Sequence, residues 1–344
     1  MFSDLVGHEA AIRLLTSEIA KGRLAPSYLF TGLRGIGKRS LGLAFAQALL
    51  CQAPDRAPDA GQRLRLEEAA PRPSGQACGG CPACLGVGAG TFPDLIAVSP
   101  EASTESESLM IRIDQVRRLT NGLRLTPHTS RWKVGLVEEA DQITDEAAHA
   151  LLKLVEEPPE RSVLLFTSSA SYRLAPTFIS RCQPIRCWPQ GIGRVAEFLE
   201  KREKLIREMA RGLAVWSGGR AGLALRWHQG NGLAQKNLLL DELLLALRQG
   251  AVETPLGSGP RHQMEEALDG IAAWWRDLLF IRLKADRSWI IHQDRLGDLE
   301  KEAAGSAASS IESLVERLQR TYQAQRALQG NASPRMALAV ALMP

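Results

Sequence analysis

Residues 32–40 read Gly-Leu-Arg-Gly-Ile-Gly-Lys-Arg-Ser. Gly32, Gly37 and Lys38 fit the spacing of a phosphate-binding loop, with Gly35 between them. In such a loop, backbone N–H groups close around phosphates at a helix N-terminus and the lysine reaches the terminal phosphates. The next position should carry a hydroxyl that holds Mg²⁺, and here it is Arg39. A guanidinium has no lone pair to give a metal. Ser40 follows, but one residue along a helix is turned about 100° away. The loop therefore has the shape of a nucleotide site and lacks a piece of the hydrolysis chemistry.

The second feature is acidic, Val134-Gly135-Leu136-Val137-Glu138-Glu139. In phosphate-loop enzymes a strand end of this kind gives one carboxylate to Mg²⁺ and one to a water. Glu138 stands at the metal position, one methylene longer than the usual Asp, and Glu139 at the water position. The plain alternative is an acidic flank for the following helix. Cys78, Cys81 and Cys84 supply three thiols at metal-ligand spacing, and Cys51 is a fourth. Four thiolates make a closed, structural zinc site. Cys182 and Cys187 read as buried small residues. Arg181, in Ser180-Arg181-Cys182, could reach a neighbouring subunit's nucleotide as a finger in trans, although residue type alone favours an ordinary surface arginine. Between Ile111 and Lys133 lie Arg112, Arg117, Arg118, Arg124, Arg131 and Lys133 against Asp114. That is either a solvated face or a stripe that touches DNA phosphates.

These residues need a scaffold. Up to about residue 190, short apolar runs alternate with helical patterns, which predicts an α/β unit with a parallel sheet. Strands are expected at Tyr28–Thr31, Leu95–Val98, Val134–Val137, Val163–Phe166 and Pro184–Cys187. Helices are expected at Glu9–Lys21, Arg39–Cys51, Ile113–Leu123 and Asp145–Glu156, the last stopped by Pro158-Pro159. Beyond Trp188-Pro189 only helical patterns remain. Residues 53–77, rich in Pro, Arg, Glu and Ala, read as a solvated insertion. The chain has 344 residues, 45% hydrophobic and 23% charged, enough for two or three domains. Its net charge of +4 does not by itself argue nucleic-acid binding. No apolar run is long enough to span a bilayer and no leader is evident, so a cytoplasmic protein with reduced cysteines is expected.

In this order the pieces resemble the clamp-loader branch of the AAA+ proteins. The likeness is carried by Asp4-Leu5-Val6-Gly7-His8, Ser27-Tyr28-Leu29-Phe30-Thr31-Gly32, the cysteine cluster, Ala150-Leu151-Leu152-Lys153-Leu154-Val155-Glu156-Glu157-Pro158-Pro159 and Ser180-Arg181-Cys182. Trp275-Arg276-Asp277-Leu278-Leu279 and Asn331-Ala332-Ser333-Pro334-Arg335 are similar to the family's collar helices. The resemblance implies an α/β P-loop AAA+ domain over 1–189 with a zinc module at 51–84, an all-helical lid over 190–232 and an all-helical collar over 233–344. It implies that Val6 and Gly7 line an adenine pocket, that Ser168 or Ser169 sits at a polar sensor position, and that Arg220 is a second phosphate sensor. Its implied partners are gamma or tau motor subunits and a delta subunit in a hetero-pentamer, the sliding clamp indirectly, and primer-template DNA. With Arg39 and Glu138 at the metal positions, the resemblance points to a stator that lends Arg181 to a neighbour rather than an efficient ATPase. An active gamma or tau type motor and a free-standing zinc and DNA-binding protein are the competing readings.

Overall fold

The computed structural model describes residues 1–52, 75–102, 109–230, 237–238, 240–242, 245, 261–305, 310–329 and 332–342. The chain forms two compact units: Met1–Arg194 with Arg220–Gly222, and Val195–Gly219 with Leu223–Pro344.

The first unit is built on five parallel strands, β1 (Ser27–Thr31), β2 (Leu95–Val98), β3 (Lys133–Val137), β4 (Ser162–Ser168) and β5 (Gln183–Arg186), in the order β2-β3-β4-β1-β5. Parallel strands need crossover helices, which cover both faces and leave the strands apolar. Accordingly every residue of β3 and β4 is buried. The crossovers include α1 (Glu9–Lys21), α2 (Lys38–Leu50), α3 (Pro82–Ala89), α4 (Ile113–Arg124), α5 (Asp145–Glu156) and the single turn α6 (Pro176–Ile179). On one face α1 and α2 pack Leu15, Leu41, Phe45 and Leu50 against Tyr28, Phe30 and Val134. On the other, α4 and α5 pack Val116, Leu119, Leu151 and Leu154 against Leu29, Leu164 and Phe166. Tyr28 meets Phe45 edge to face, and its hydroxyl donates to Glu18 at 2.6 Å. Strand register fixes which chain ends meet. Thr31 aligns with Ser168, and Val137 with Phe166, so the loops after β1, β3 and β4 open on one edge.

The predicted strands and helices match within one or two residues. Two readings change. Lys133 belongs to no exposed stripe: it is the first residue of β3, 3% exposed, and donates to the Gly122 carbonyl at 2.8 Å. The solvated insertion is also shorter than read, because Ala77 packs on the core and a Cβ on Gly75 would meet the Thr16 carbonyl oxygen at 2.3 Å. Residues 53–74 lie outside the described residues, as do Asn331 and the 231–232 linker.

The secondary-structure elements described in the second unit are all helices. Its core gathers Leu268, Ile271, Trp274, Trp275, Leu278, Leu314, Leu328 and Leu338. The Asp277 carboxylate, fully buried, accepts the His292 backbone N–H and pairs with its Nδ1, both at 2.8 Å. Arg317 lies over the Trp275 ring, 5.0 Å from its centroid. Among the described residues no helix is long and apolar enough to cross a membrane.

Candidate nucleotide loop, cysteine cluster and arginine

The loop from β1 to α2 is shaped by backbone that only glycine adopts without strain. Gly32 has φ 148°, and a Cβ there would lie 2.4 Å from the Cys187 carbonyl oxygen. Gly37, the N-cap of α2, has φ 105°. The N-terminal segment closes on this loop. His8, itself at φ 61°, places Nε2 3.1 Å from the Ile36 carbonyl oxygen. Gly7 faces Gln190 so closely that a Cβ would overlap its side-chain amide. Val6 is half-buried beside it. Arg220 is half-buried within Arg220–Gly222, which groups with this unit; a Cβ on Gly222 would lie 2.9 Å from the Gly35 carbonyl oxygen.

Lys38 is 7% exposed and spends all three ammonium protons inside the site. They go to the Gly32 carbonyl at 2.7 Å, the Leu33 carbonyl at 2.9 Å and Ser169 Oγ at 2.9 Å. Burial lowers its pKa to about 8, against the opposing pull of Cys187, Asp141 and Glu139. Ser169 is thus the polar residue that the end of β4 presents to the lysine. Its own N–H donates to Asp141 at 3.0 Å, while Ser168 is fully buried and accepts the Ala170 N–H.

The two metal positions are joined to each other. Arg39 Nε donates to Glu138 Oε1 at 2.6 Å. The second acid is treated alike: Glu139 Oε1 lies 3.7 Å from Arg34 Nε. Glu139 stands at φ 48° with its N–H on Thr167 Oγ1, so the chain turns sharply where β3 delivers both carboxylates. Ser40, the next residue of α2, is exposed. The site can hold phosphate through loop N–H groups and cations, and neither carboxylate is left as an unpaired metal ligand.

The four cysteines come together as their spacing suggested. Sγ of Cys51, Cys78, Cys81 and Cys84 all lie within 4.8 Å of one another, with Cys51 at 3.4, 3.5 and 3.2 Å from the other three. The backbone N–H groups of Cys78, Cys81 and Cys84 each donate to the sulfur of another member at 3.4 Å. Cys81 caps α3. Its burial opposes ionisation, but donation from the Cys84 and Gln52 backbone outweighs this and lowers the thiol to about 6. A tetrahedral centre with metal–sulfur bonds of about 2.3 Å spaces its sulfurs somewhat under 4 Å apart, so the donor set fits a structural metal ion. Cys182 and Cys187 lie apart and are buried, which raises them to about 12 and about 11.

Arg181 follows α6 and is exposed. Its Nη2 lies 3.1 Å from Glu156 Oε1, at the end of α5, and its Nη1 donates to the Thr177 carbonyl at 2.8 Å. Glu156 as the holder of Arg181 was not legible in the sequence, because nothing in local spacing brings α5 and α6 together. Of the basic stripe, Arg117, Arg118, Arg124 and Arg131 are exposed and Arg112 is half-buried; Arg117 pairs with Asp114 at 3.6 Å.

A parallel sheet with β1 inside it, a glycine loop leading into α2, a lysine at the helix start and acids at the end of β3, which β4 separates from β1, define a P-loop domain of the AAA+ kind. The family described as DNA polymerase III, delta subunit, matches residues 7–190, more than half of the chain. The chain belongs to that family, and its likeness to delta' sequences makes the delta-prime type the supported member. The delta' subunit of DNA polymerase III from Pseudomonas aeruginosa is 34% identical over 233 residues, 67% of this chain and 64% of that protein. The delta' subunit from Bacillus subtilis is 27% identical over 309 residues, 87% and 85% of the two chains. The tau subunit from the same organism is 26% identical over 211 residues, 60% of this chain, but the match spans only 33% of its length. Among solved structures, a gamma subunit-related protein of DNA polymerase III from Thermotoga maritima is 14% identical, with 96% of each chain covered and a TM-score of 0.37.

Proposed function

We propose that this chain is a delta-prime-type subunit of a bacterial clamp loader, a cytoplasmic stator that helps place a sliding clamp on primer-template DNA. It joins gamma or tau motor subunits and a delta subunit in a hetero-pentamer, as part of the DNA polymerase III holoenzyme. Arg181 is the residue that acts. It enters the nucleotide site of an adjacent motor subunit and stabilises charge on the transferring phosphate, as supplied arginines do. The observation that carries the reading is the contrast between two arginines. Arg181 is exposed at the end of a helix, held by an exposed Glu156, while the chain's own loop has Arg39 bound to Glu138 where a metal would be gripped.

The rest of the chain takes supporting roles. Residues 190–232 serve as a lid, and residues 233–344 as a collar that holds the assembly together. Val6, Gly7, Gly32, Gly35, Gly37, Lys38 and Arg220 retain the outline of an ATP site. Cys51, Cys78, Cys81 and Cys84 hold structural Zn²⁺. Arg117 and Arg124, seven residues apart, align on the solvent side of α4 with the exposed Arg118 beside them, and follow the DNA backbone.

The test is the loader reconstituted with the Arg181→Ala chain. Assembly and thermal unfolding should be unchanged, because Arg181 is exposed and its pair with Glu156 contributes little. ATP turnover of the complex should fall by about a thousandfold at the arginine-dependent site. Turnover equal to that of the unaltered complex rejects the role. The likeness to tau sequences favours one competing reading, an active motor. Turnover by the isolated chain separates the two.

A further inference from the structure

The loop's relation to magnesium can be taken further. Mg²⁺ demands six oxygen ligands in near-ideal octahedral geometry at about 2.0–2.1 Å. At this site one protein ligand position is Arg39, which offers donors and no lone pair. The other is Glu138, which Arg39 Nε approaches at 2.6 Å. A divalent ion bound to Glu138 would sit against a guanidinium, and the like charges would repel. Glu139 is also turned toward an arginine, Arg34. The donor set does not fit Mg²⁺.

It fits a different cation. Arg39 is 62% exposed while Glu138 is 17% exposed, so the acid is anchored and the guanidinium faces outward. With Nε on Glu138, the two Nη groups still carry four N–H donors, the planar array that pairs bidentately with phosphate oxygens. The residue stands one position after Lys38, in the first turn of α2, where the loop N–H groups and the positive end of the helix also favour anions.

We propose that Arg39, steadied by Glu138, takes the place of Mg²⁺, and that this loop binds a nucleoside di- or triphosphate as the metal-free anion. No bond is made or broken. The guanidinium and, once released from the loop carbonyls, the Lys38 ammonium neutralise the phosphates. This deepens the reading of a subunit that does not hydrolyse nucleotide, yet it does not depend on Arg181, so either can fail alone.

The experiment uses the isolated full chain and a fluorescent ADP analogue, titrated in EDTA for a time over which zinc content and unfolding temperature are checked to stay unchanged, and again in excess Mg²⁺, together with Mn²⁺ as a paramagnetic probe. ADP should bind in EDTA, and Mg²⁺ should weaken it severalfold by competing with Arg39 for the same oxygens. The protein should hold no Mn²⁺ with or without ADP. Arg39→Ala should lose binding in EDTA, with unfolding temperature as the control for the fold. Arg39→Thr combined with Glu138→Asp should reverse the sign, so that ADP binds better with Mg²⁺ and a bound Mn²⁺ signal is seen. Tighter binding of ADP to the unaltered chain in Mg²⁺, absence of binding in EDTA, or a double variant that stays blind to metal overturns the proposal. If the double variant does not fold, the titrations of the unaltered chain decide.

Discussion

Lys38 shows how a single side chain is set by its surroundings. Burial favours the neutral amine and brings its pKa from 10.5 to about 8, although Cys187, Asp141 and Glu139 face it and oppose the shift, while Arg34 adds to it. The sign follows. Between about 8 and 10.5 the unfolded chain holds a proton that the folded chain has released, so this group's contribution to stability rises with pH across that window. Phosphate attraction runs the other way, because only the ammonium attracts an anion. Binding of inorganic pyrophosphate should therefore weaken severalfold as pH is raised through about 8, and calorimetric titration on either side of that value measures it. Affinity flat across the range would mean that Lys38 stays on the Gly32 and Leu33 carbonyls and takes no part.

At the scale of elements, the cysteine cluster ties the end of α2 to the start of α3. Cys51 is the residue after α2, and Cys81 and Cys84 stand at the cap and in the first turn of α3. These two helices also meet through Gln47, whose amide donates to the Cys84 carbonyl at 3.0 Å. A metal ion bound there closes a loop and adds its binding energy to folding. Stripping it with a chelator should lower the unfolding temperature and release one zinc per chain, measured by a chromophoric zinc indicator. Cys84→Ser should do the same, since Cys84 is the buried member. Unchanged metal content in Cys84→Ser would remove it from the ligand set. The elements themselves were largely readable. Short apolar runs such as Val134–Val137 have few other uses, and Pro158-Pro159 ends α5 where a helix must end. Lys133 was misread because a basic residue near arginines suggests solvent, whereas its ammonium caps the Gly122 carbonyl inside the fold. Asp94 was missed altogether. Its buried carboxylate accepts the backbone N–H groups of His128, Thr129 and Ser130 at 2.7, 3.0 and 3.0 Å, bracing the segment that leads to β3. Such long-range partners leave no periodic trace.

For the whole molecule, the defects in the phosphate loop were visible as residue types, but their relation was not. Arg39 and Glu138 are 99 positions apart, and only the sheet register, which sets β3 one strand from β1 across β4, makes them a pair. That pair turns two separate losses into one exchange of a metal for an arginine. In the proposed reading the chain keeps a P-loop architecture without a grip on magnesium, and Arg181 acts in a neighbouring subunit's site. The most direct check is phosphate release by the purified chain alone, in ATP and Mg²⁺, at concentrations that saturate any nucleotide site. The account predicts no turnover above that of an Arg39→Ala, Lys38→Ala double variant. Sustained magnesium-dependent release that the double variant abolishes would contradict it.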